Sequence, residues 1–504
     1  MKYLLGVDFG GGSSKATLLA GTGDIAAVSV REYPTYYPQD GWAEQNPDDS
    51  FNALVYNIRN ILKTTGVNPA DIAALSLDGA THTAVLLDQD DRVIRPAIYW
   101  TDKRSFKESE YLVKHHADLL IKTAGNSASP LWTLPQLMWV RNNEPENFQK
   151  IAKILFMKDY VRYRLTGDFV TDHIEAMGAL LMDINTNCWS KELCSLCGIS
   201  PAVLPKIVNP DDLVSPLTGE ACKATGLTPA TRVLAGSTDT VMEVYASGAV
   251  RKGQATVKLA TAGRICAVTD RGYPHPLLVN YRHIIPGLWY PGTATKSSAA
   301  SYRWYRDVLG ADETSRAARE GLDPYCLMDK AAEQAPPGAD NLFFHPYLQG
   351  EITPYLDNAL KASFTGVSSF HTKAHFNRAV LEGVAYSLKD CFNVLCGLGI
   401  DIRSAGMIGG GAKSPLWRQI VADVLGIRLT KAVCDDSSFG SAMMAGVASG
   451  VFSSYEDSVE KCVKTDMIIN PNPENRRVYE KGFLTYRKIH DALAPIYREL
   501  AGQE

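Results

Sequence analysis

Two rhythms of apolar and polar positions run through this chain, and they predict different elements. Leu4-Leu5-Gly6-Val7 is an apolar run that ends in Asp8, three glycines and two serines follow Phe9, and a second apolar run, Ala16 to Leu19, leaves. That is strand, tight turn, strand. Ile25 to Arg31 reads as a third strand. The period then lengthens: Phe51, Leu54, Val55, Ile58, Ile61 and Leu62 recur at three- and four-residue spacing, the stripe of an amphipathic helix. Gly41-Trp42-Ala43-Glu44-Gln45 leads into that helix, with Asn46 as N-cap and Pro47 at the first helical position. Ile72–Leu77 and Thr83–Asp88 are strands around the loop Asp78-Gly79-Ala80-Thr81-His82. Another apolar segment ends in Thr101-Asp102-Lys103-Arg104, and helices follow over Leu131–Asn142 and Met157–Leu165. Leu234-Ala235-Gly236-Ser237-Thr238-Asp239-Thr240 is a short strand entering a glycine turn and then a helix rich in small residues. A domain boundary is expected just after it, near Ala249, dividing the chain into 1–249 and 250–504.

The second half repeats the logic. Ala255 to Val268 is again strand, small-residue turn, strand, a degenerate counterpart of the opening hairpin whose likeness is too weak to establish duplication. Ala405-Gly406-Met407-Ile408 runs into Gly409-Gly410-Gly411-Ala412-Lys413, and Ser414 and Pro415 suit the N-cap and first position of a helix striped by Trp417, Ile420, Val421, Val424 and Leu425. A strand, a glycine turn and a helix N-terminus suit a nucleotide.

The opening turn has the chemistry of an anion cradle. Glycines permit positive φ and close approach, turn N–H groups and hydroxyls can face phosphate oxygens, and Asp8 could hold the accompanying metal. It is not a P-loop, because Lys15 follows Ser14 and starts a strand. It is not a dinucleotide fingerprint, because no helix opens after the glycines. An ordinary glycine-rich hairpin fits the same residues equally well. Bulk properties narrow the class: 504 residues exceed one core and point to two large domains. A net charge of −4 provides no basic footprint for nucleic acid, and no apolar run is long enough for a membrane span. With no leader ahead of the first strand, the expectation is a soluble cytoplasmic protein without nucleic-acid or membrane partners. Ten cysteines lack framework spacing, and Cys194 and Cys197 form the sole C-x-x-C without a second pair or nearby histidine, so reduced thiols are expected. Asp88, Asp90 and Asp91 lack the glutamate of a calcium loop and read as a turn.

Along nearly its full length the chain resembles the FGGY carbohydrate kinases. The most specific stretch is Ala362-Ser363-Phe364-Thr365-Gly366-Val367 followed by His375-Phe376-Asn377-Arg378-Ala379-Val380-Leu381-Glu382, which fits that family's C-terminal signature. Asp8 to Lys15 looks like its first phosphate motif, Gly236-Ser237-Thr238-Asp239 sits where it carries a catalytic aspartate, Gly409–Ala412 is similar to its adenosine loop, and Phe439-Gly440-Ser441-Ala442 to its closing small-residue helix. Departures exist: Gly11 and Gly12 replace hydroxyl residues, shifting phosphate contacts to Ser13 and Ser14, Gln136 replaces a lysine, and Leu259-Ala260-Thr261-Ala262-Gly263 keeps a single hydroxyl at Thr261.

The resemblance implies a two-domain α/β fold of the ribonuclease-H-like, actin-like type, with ATP and sugar meeting in an interdomain cleft. It implies Asp239 as general base, Asp8 as the water-mediated Mg2+ acid, and Gly11, Gly12, Ser13, Lys15, Thr261, Gly410, Gly411 and Ala412 as ATP-side residues, with Gly410 and Gly411 expected at positive φ. Thr81, His82, Asp102, Asp239 and Thr240 are the sugar-side set, with His82 where members having a xylulokinase-like pocket place a hydroxyl-binding histidine. Trp100 reads as packing and Arg104 as the partner of a surface acid. The activity implied is ATP-dependent phosphorylation of a small sugar, a ketopentose such as xylulose. Ribulose, erythritol or gluconate stays open, as does a homodimer. Glycerol is disfavoured because Gly79-Ala80-Thr81-His82 lacks the acceptor arginine–glutamate pair. The rival readings are a chaperone-like nucleotide binder on the same fold and a non-catalytic sugar sensor.

Overall fold

The computed structural model describes residues 1–502. They form two compact units: Met1–Val250 with Asp270–Tyr290 and Cys434–Lys464, and Arg251–Thr269 with Pro291–Val433 and the chain from Thr465 onward. The division expected near Ala249 is thus only the first crossing of the chain, because two later segments return to the first unit.

The first unit is built on a sheet. Strands β1 (Tyr3–Phe9), β2 (Ser13–Ala20) and β3 (Ile25–Glu32) form an antiparallel meander. Helix α1 (Pro47–Thr65) then carries the chain to β4 (Ile72–Gly79), parallel to β1. Asn46 caps α1 by accepting from the Asp48 N–H, and Gly66, at φ 67°, ends it. Helices α2 (Thr133–Asn143), α3 (Met157–Thr166) and α4 (His173–Gly178) precede the short strands β5 (Arg232–Val233) and β6 (Ser237–Thr238), both parallel to β4. Helix α5 (Asp239–Ala246) starts directly from β6. The strand order is β5-β4-β1-β2-β3. Central parallel strands are covered on both faces, so they read as unbroken apolar runs: Leu4, Leu5, Val7, Leu75 and Leu77 are fully buried, and Leu54, Ile58 and Ile61 of α1 join their core.

The second unit repeats this plan. Strands β7 (Gln254–Leu259), β8 (Gly263–Ala267) and β9 (Gly292–Ala294) form another meander. After the long helix α6 (Lys373–Gly397), β10 (Ser404–Ile408) pairs parallel with β7, and beyond α7 (Pro415–Leu425), β11 (Arg428–Ala432) pairs parallel with β10. Strand for strand, β7, β8, β9, β10 and β11 occupy the places of β1, β2, β3, β4 and β5, and β12 (Thr465–Ile469) adds an antiparallel edge. The faint likeness of the two hairpins is therefore a repeated topology.

Helix α8 (Ser437–Ala448), on the segment that returns to the first unit, lies on β1, β2 and β4. Its small residues and Gly6 let it do so: a Cβ at Gly6 would overlap the Ser438 carbonyl and the Ala442 nitrogen, and one at Gly440 would overlap the Met242 carbonyl of α5. Between Leu87 and Lys153, Asp88 Oδ1 accepts from the Asp90 and Arg92 N–H groups, the turn anticipated there. The signature run on α6 has a structural use: Arg378 pairs with Glu382 at 2.7 Å and donates to the Tyr479 hydroxyl, and Glu382 also accepts from Gly338 N–H.

Candidate active site

Three parallel strands deliver the first unit's polar residues to one edge. Across β1, β4 and β6 the register runs Asp8, Asp78, Ser237 and then Phe9, Gly79, Thr238. The turn Gly10–Gly12, the loop Ala80–His82 and Asp239 therefore all emerge at the strands' carboxyl ends, where open α/β sheets bind ligands.

In the glycine turn, Gly10 N–H donates to the Ser13 carbonyl at 3.0 Å. None of the three glycines has positive φ. Gly11 is needed for space instead: a Cβ there would lie 2.8 Å from the Tyr99 hydroxyl, while Gly12 is open. Strand alternation leaves Ser13 and Lys15 partly exposed and buries Ser14 completely, so of the two serines only Ser13 can offer its hydroxyl to phosphate. Lys15 is tied to Asp436, the N-cap of α8, at 2.9 Å, and although burial opposes its charge, Asp436 raises its pKa.

Asp8 and Asp78 are side by side in the register of the strands, Asp78 fully buried and Asp8 partly so. Burial raises Asp8 to about 8, with Asp239, Asp436 and Glu243 adding repulsion, and a hydrogen bond with Asp78 opposes the rise. Asp78 rises well above the carboxylate range from burial and then Asp8, while Ser441 donates to its Oδ2 at 2.5 Å. Asp8 Oδ1 has no hydrogen-bond partner among the described residues. An orphaned oxygen amid several acids suits a divalent cation. No three His, Cys, Asp or Glu side chains among the described residues converge to hold an ion. A Mg2+ here would therefore lean on one or two carboxylates, phosphate oxygens and water, its usual habit.

Asp239 is the first residue of α5. Its Oδ1 accepts from the Thr240 N–H at 2.6 Å and from the Thr240 hydroxyl at 3.1 Å. Among the described residues no hydrogen bond falls on Oδ2. Thr240 thus holds Asp239, a more immediate task than the sugar contact expected of it.

His82 has φ 74°, unusual for a residue with a side chain. Its Nδ1 lies 2.6 Å from the Gly178 carbonyl, its Nε2 lies 3.3 Å from the Tyr281 hydroxyl, and its ring meets Trp132 edge-on at 4.5 Å between centroids. Thr81 is buried against α4, where a Cβ at Gly178 would overlap its methyl group. Asp102 does not stand ready for sugar. Both its oxygens accept from Arg104, and Oδ2 also accepts from Ala43 N–H at 2.6 Å. Nor does Arg104 serve a surface acid: it is wholly buried, pairs with Asp102 and Glu44 at 2.8 Å each, and lies 3.7 Å from the Trp42 ring and 5.0 Å from that of Trp139. A planar guanidinium can stack and hydrogen-bond at once, which makes this a rigid brace. Trp100, expected to pack, is 40% exposed.

The second unit holds the other predicted loop. Gly409, at φ 89° and ψ 172°, occupies a region open essentially only to glycine. A Cβ there would meet the Leu259 carbonyl at 2.7 Å. Gly410 and Gly411, the residues expected at positive φ, lack it: Gly410 is open, and Gly411 is confined by Leu259 and Trp417, each 2.9 Å from an added Cβ. Ala412 is buried, its N–H bonded to the Gly409 carbonyl and its carbonyl to Arg418, so it shapes the loop from within. Ser414 caps α7 from the Trp417 N–H, with Pro415 next. Thr261 is exposed at the β7–β8 turn, its carbonyl accepting from Ser298 N–H at 2.9 Å.

Several residues at the sheet edge escaped the sequence reading. Asp78 carried a signal, since Leu77-Asp78-Gly79 repeats the apolar-Asp-glycine ending of β1. Asp436 also carried one, as an acid ahead of two serines and a small-residue helix. Tyr281 and Glu175 carried none, because folding alone brings them to His82.

Residues 3–245 match the N-terminal domain, and residues 269–449 the C-terminal domain, of the FGGY family of carbohydrate kinases. The chain is 31% identical over 497 residues to a xylulose kinase of Bacillus subtilis, covering 97% of each, and 29% identical over 517 residues to a gluconokinase of Bacillus licheniformis, covering 100% and 98%. Its fold is similar to the crystal structure of xylulose kinase from Rhodospirillum rubrum, with a TM-score of 0.91 and 27% identity over 99% of this chain and 100% of that one.

Proposed function

This chain belongs to the FGGY family of carbohydrate kinases, a sugar phosphotransferase that uses ATP, and from that premise we propose that its acceptor is a small ketose, a ketopentose such as xylulose. The observation that carries the chemistry is Asp239 at the carboxyl end of β6, with Oδ1 secured by Thr240 and Oδ2 left for an acceptor hydroxyl. In this reading Asp239 takes the proton of the attacking hydroxyl. The new bond forms between that oxygen and the γ-phosphorus as the bond to the β-phosphate oxygen breaks, releasing ADP. Such transfer is mostly positioning and charge stabilisation.

Gly11, Gly12 and Ser13 supply the phosphate-facing turn, and Lys15, held by Asp436, keeps a positive charge beside it. Asp8, with its orphaned oxygen, would hold Mg2+, which when bound supplies positive charge to the phosphates. Thr261 and the loop Gly409–Gly411 form the nucleotide side, with Gly409 making the sharp backbone turn. His82 presents its ring to the sugar, while Asp102 keeps the neighbouring segment rigid through Arg104.

Likeness to xylulose kinases over nearly the whole chain supports the ketopentose, and comparable likeness to a gluconokinase makes an aldonate the second acceptor to test. The test is coupled ADP release across xylulose, ribulose, erythritol and gluconate. Highest kcat/KM on xylulose is expected. ATP hydrolysis at one rate whatever sugar is added would overturn the kinase reading.

A further inference from the structure

Against the strand that leads to Asp239 lies a buried charged cluster that no step of phosphoryl transfer uses. Lys158 pairs with Asp159 at 2.6 Å and with Asp172 at 2.8 Å, and Arg162 pairs with Asp159 at 2.6 Å. Burying charges is costly, and their mutual attraction offsets that only when the geometry is good and hydrogen bonds complete it. Asp172 Oδ1 accepts from the Ile174 and Glu175 N–H groups at 2.9 and 3.2 Å, capping α4, and from the Ser237 hydroxyl at 3.0 Å. Arg162 donates to the Val170 carbonyl and, at 2.8 Å, to that of Ala235. Two helices, α3 through Lys158 and Arg162 and α4 through Asp172, are thus tied to the segment Ala235–Ser237.

From Ser237 onward the backbone restraints thin out. Just before it, the Ala235 and Gly236 N–H groups donate to the Asp212 and Pro210 carbonyls. Strand β6 itself is two residues long, and β4 is the one strand it pairs with among the described residues. Thr238 then offers α5 no capping hydrogen bond, and its buried hydroxyl has no partner among the described residues. Thr240 orients the Asp239 carboxylate from within α5, but it moves with that helix and cannot fix where the helix begins. The bond from Ser237 to Asp172 can. It anchors the chain two residues ahead of Asp239, at most about 7 Å of backbone away.

We propose that Asp172 is a positioning residue for Asp239 that acts through the Ser237 hydroxyl, the buried cluster being the fixed frame from which the end of β6 takes its place. The inference rests on Asp239 being the base, as in the proposed function. A base displaced by about 1 Å loses on the order of a hundredfold in rate, so one hydrogen bond this close to it has leverage on turnover.

The test begins with Ser237→Ala, which removes the link but leaves Asp172 its two N–H donors and Lys158, so the variant should fold. Its kcat should fall by about ten- to a hundredfold while the ATP KM stays within about twofold. The same substitution is then made in Asp239→Asn and followed in single-turnover reactions. With no base left to place, Ser237→Ala should cost less than about twofold there, whereas a merely structural role would cost the same in both backgrounds. Asp172→Asn is the conservative variant: it keeps an oxygen for Ser237 and gives up the charge facing Lys158. It should unfold at lower denaturant yet recover most of the kcat that Ser237→Ala loses. If Asp172→Asn does not fold, Ser237→Ala in its two backgrounds decides the matter. A kcat for Ser237→Ala within about twofold of wild type, an equal loss in both backgrounds, or a folded Asp172→Asn as slow as Ser237→Ala would each overturn the proposal. Should Asp239→Asn alone keep more than about a tenth of wild-type kcat, the base reading itself fails, and the positioning role falls with it.

Discussion

Replacing Asp239 by asparagine separates proton transfer from every other role of that residue. The side chain keeps its shape, and its Oδ1 can still accept from the Thr240 N–H and hydroxyl, now at 2.6 and 3.1 Å. An amide group, however, stands where Oδ2 should receive the hydroxyl proton. A missing general base costs about 10²–10⁴ in rate, or ~2.7–5.5 kcal/mol of barrier. The charge lost at the first position of α5 costs only about 0.3–1 kcal/mol of stability, and relief of repulsion on Asp8 offsets part of that. The fold should therefore survive while kcat collapses and ATP binding persists. Thr240→Val is the control: it removes one of the two hydrogen bonds, worth about 0.5–1.5 kcal/mol, so its kcat should fall no more than roughly tenfold. Coupled ADP release at saturating ATP and acceptor measures both variants. If folded Asp239→Asn keeps more than about a tenth of wild-type kcat, a barrier change under ~1.4 kcal/mol, Asp239 is not the base. If Thr240→Val loses as much as Asp239→Asn, orientation and not proton transfer is the function of the pair.

Asp8→Asn should give a rate loss that shrinks as Mg2+ is raised, because its defect lies in metal placement, and a magnesium titration in which the loss stays constant would reject that role. Gly409→Ala combines a glycine-only backbone with a carbonyl 2.7 Å from the new Cβ, so the ATP KM should rise while sugar affinity holds, as equilibrium binding of each ligand would reveal. Gly411→Val should act on the ATP KM too, through collision with Leu259 and Trp417 and not through φ. Gly6→Ala must push α8 off the sheet and should lose about 3 kcal/mol or more in denaturant unfolding, the upper end of overpacking costs. His283, buried with Nε2–H donating to the Ala249 carbonyl, has its pKa lowered from 6.5 to about 4 by burial. The unfolded chain binds that proton first as pH falls, so stability is lost between pH 6.5 and 4, and His283→Gln should flatten the slope of unfolding free energy by up to ~1.36 kcal/mol per pH unit.

The local elements were written in the sequence because each follows from neighbours along the chain. The β1–β2 hairpin, the Asn46 and Ser414 caps, the α1 and α7 stripes and the strand–turn–helix around Asp239 depend on periodicity and turn chemistry within a dozen residues. The signature stretches likewise carried the family. Only the tertiary structure decided what those residues touch. Asp102 looks like a sugar-side acid, and Arg104 like the partner of a surface acid, until Trp42 and Glu44 arrive from another segment and close around them. Lys15 finds Asp436, and Ser441 finds Asp78, across more than three hundred residues. The need for glycine moved as well, from positive φ to the space beside Tyr99 at Gly11, and from Gly411 to Gly409 for the backbone bend. Periodicity says which face of an element is covered and is silent about which distant side chain covers it. A site assembled from three parallel strand ends, each reached by a separate crossing of the chain, is therefore legible in its parts and becomes a site only when the sheet forms.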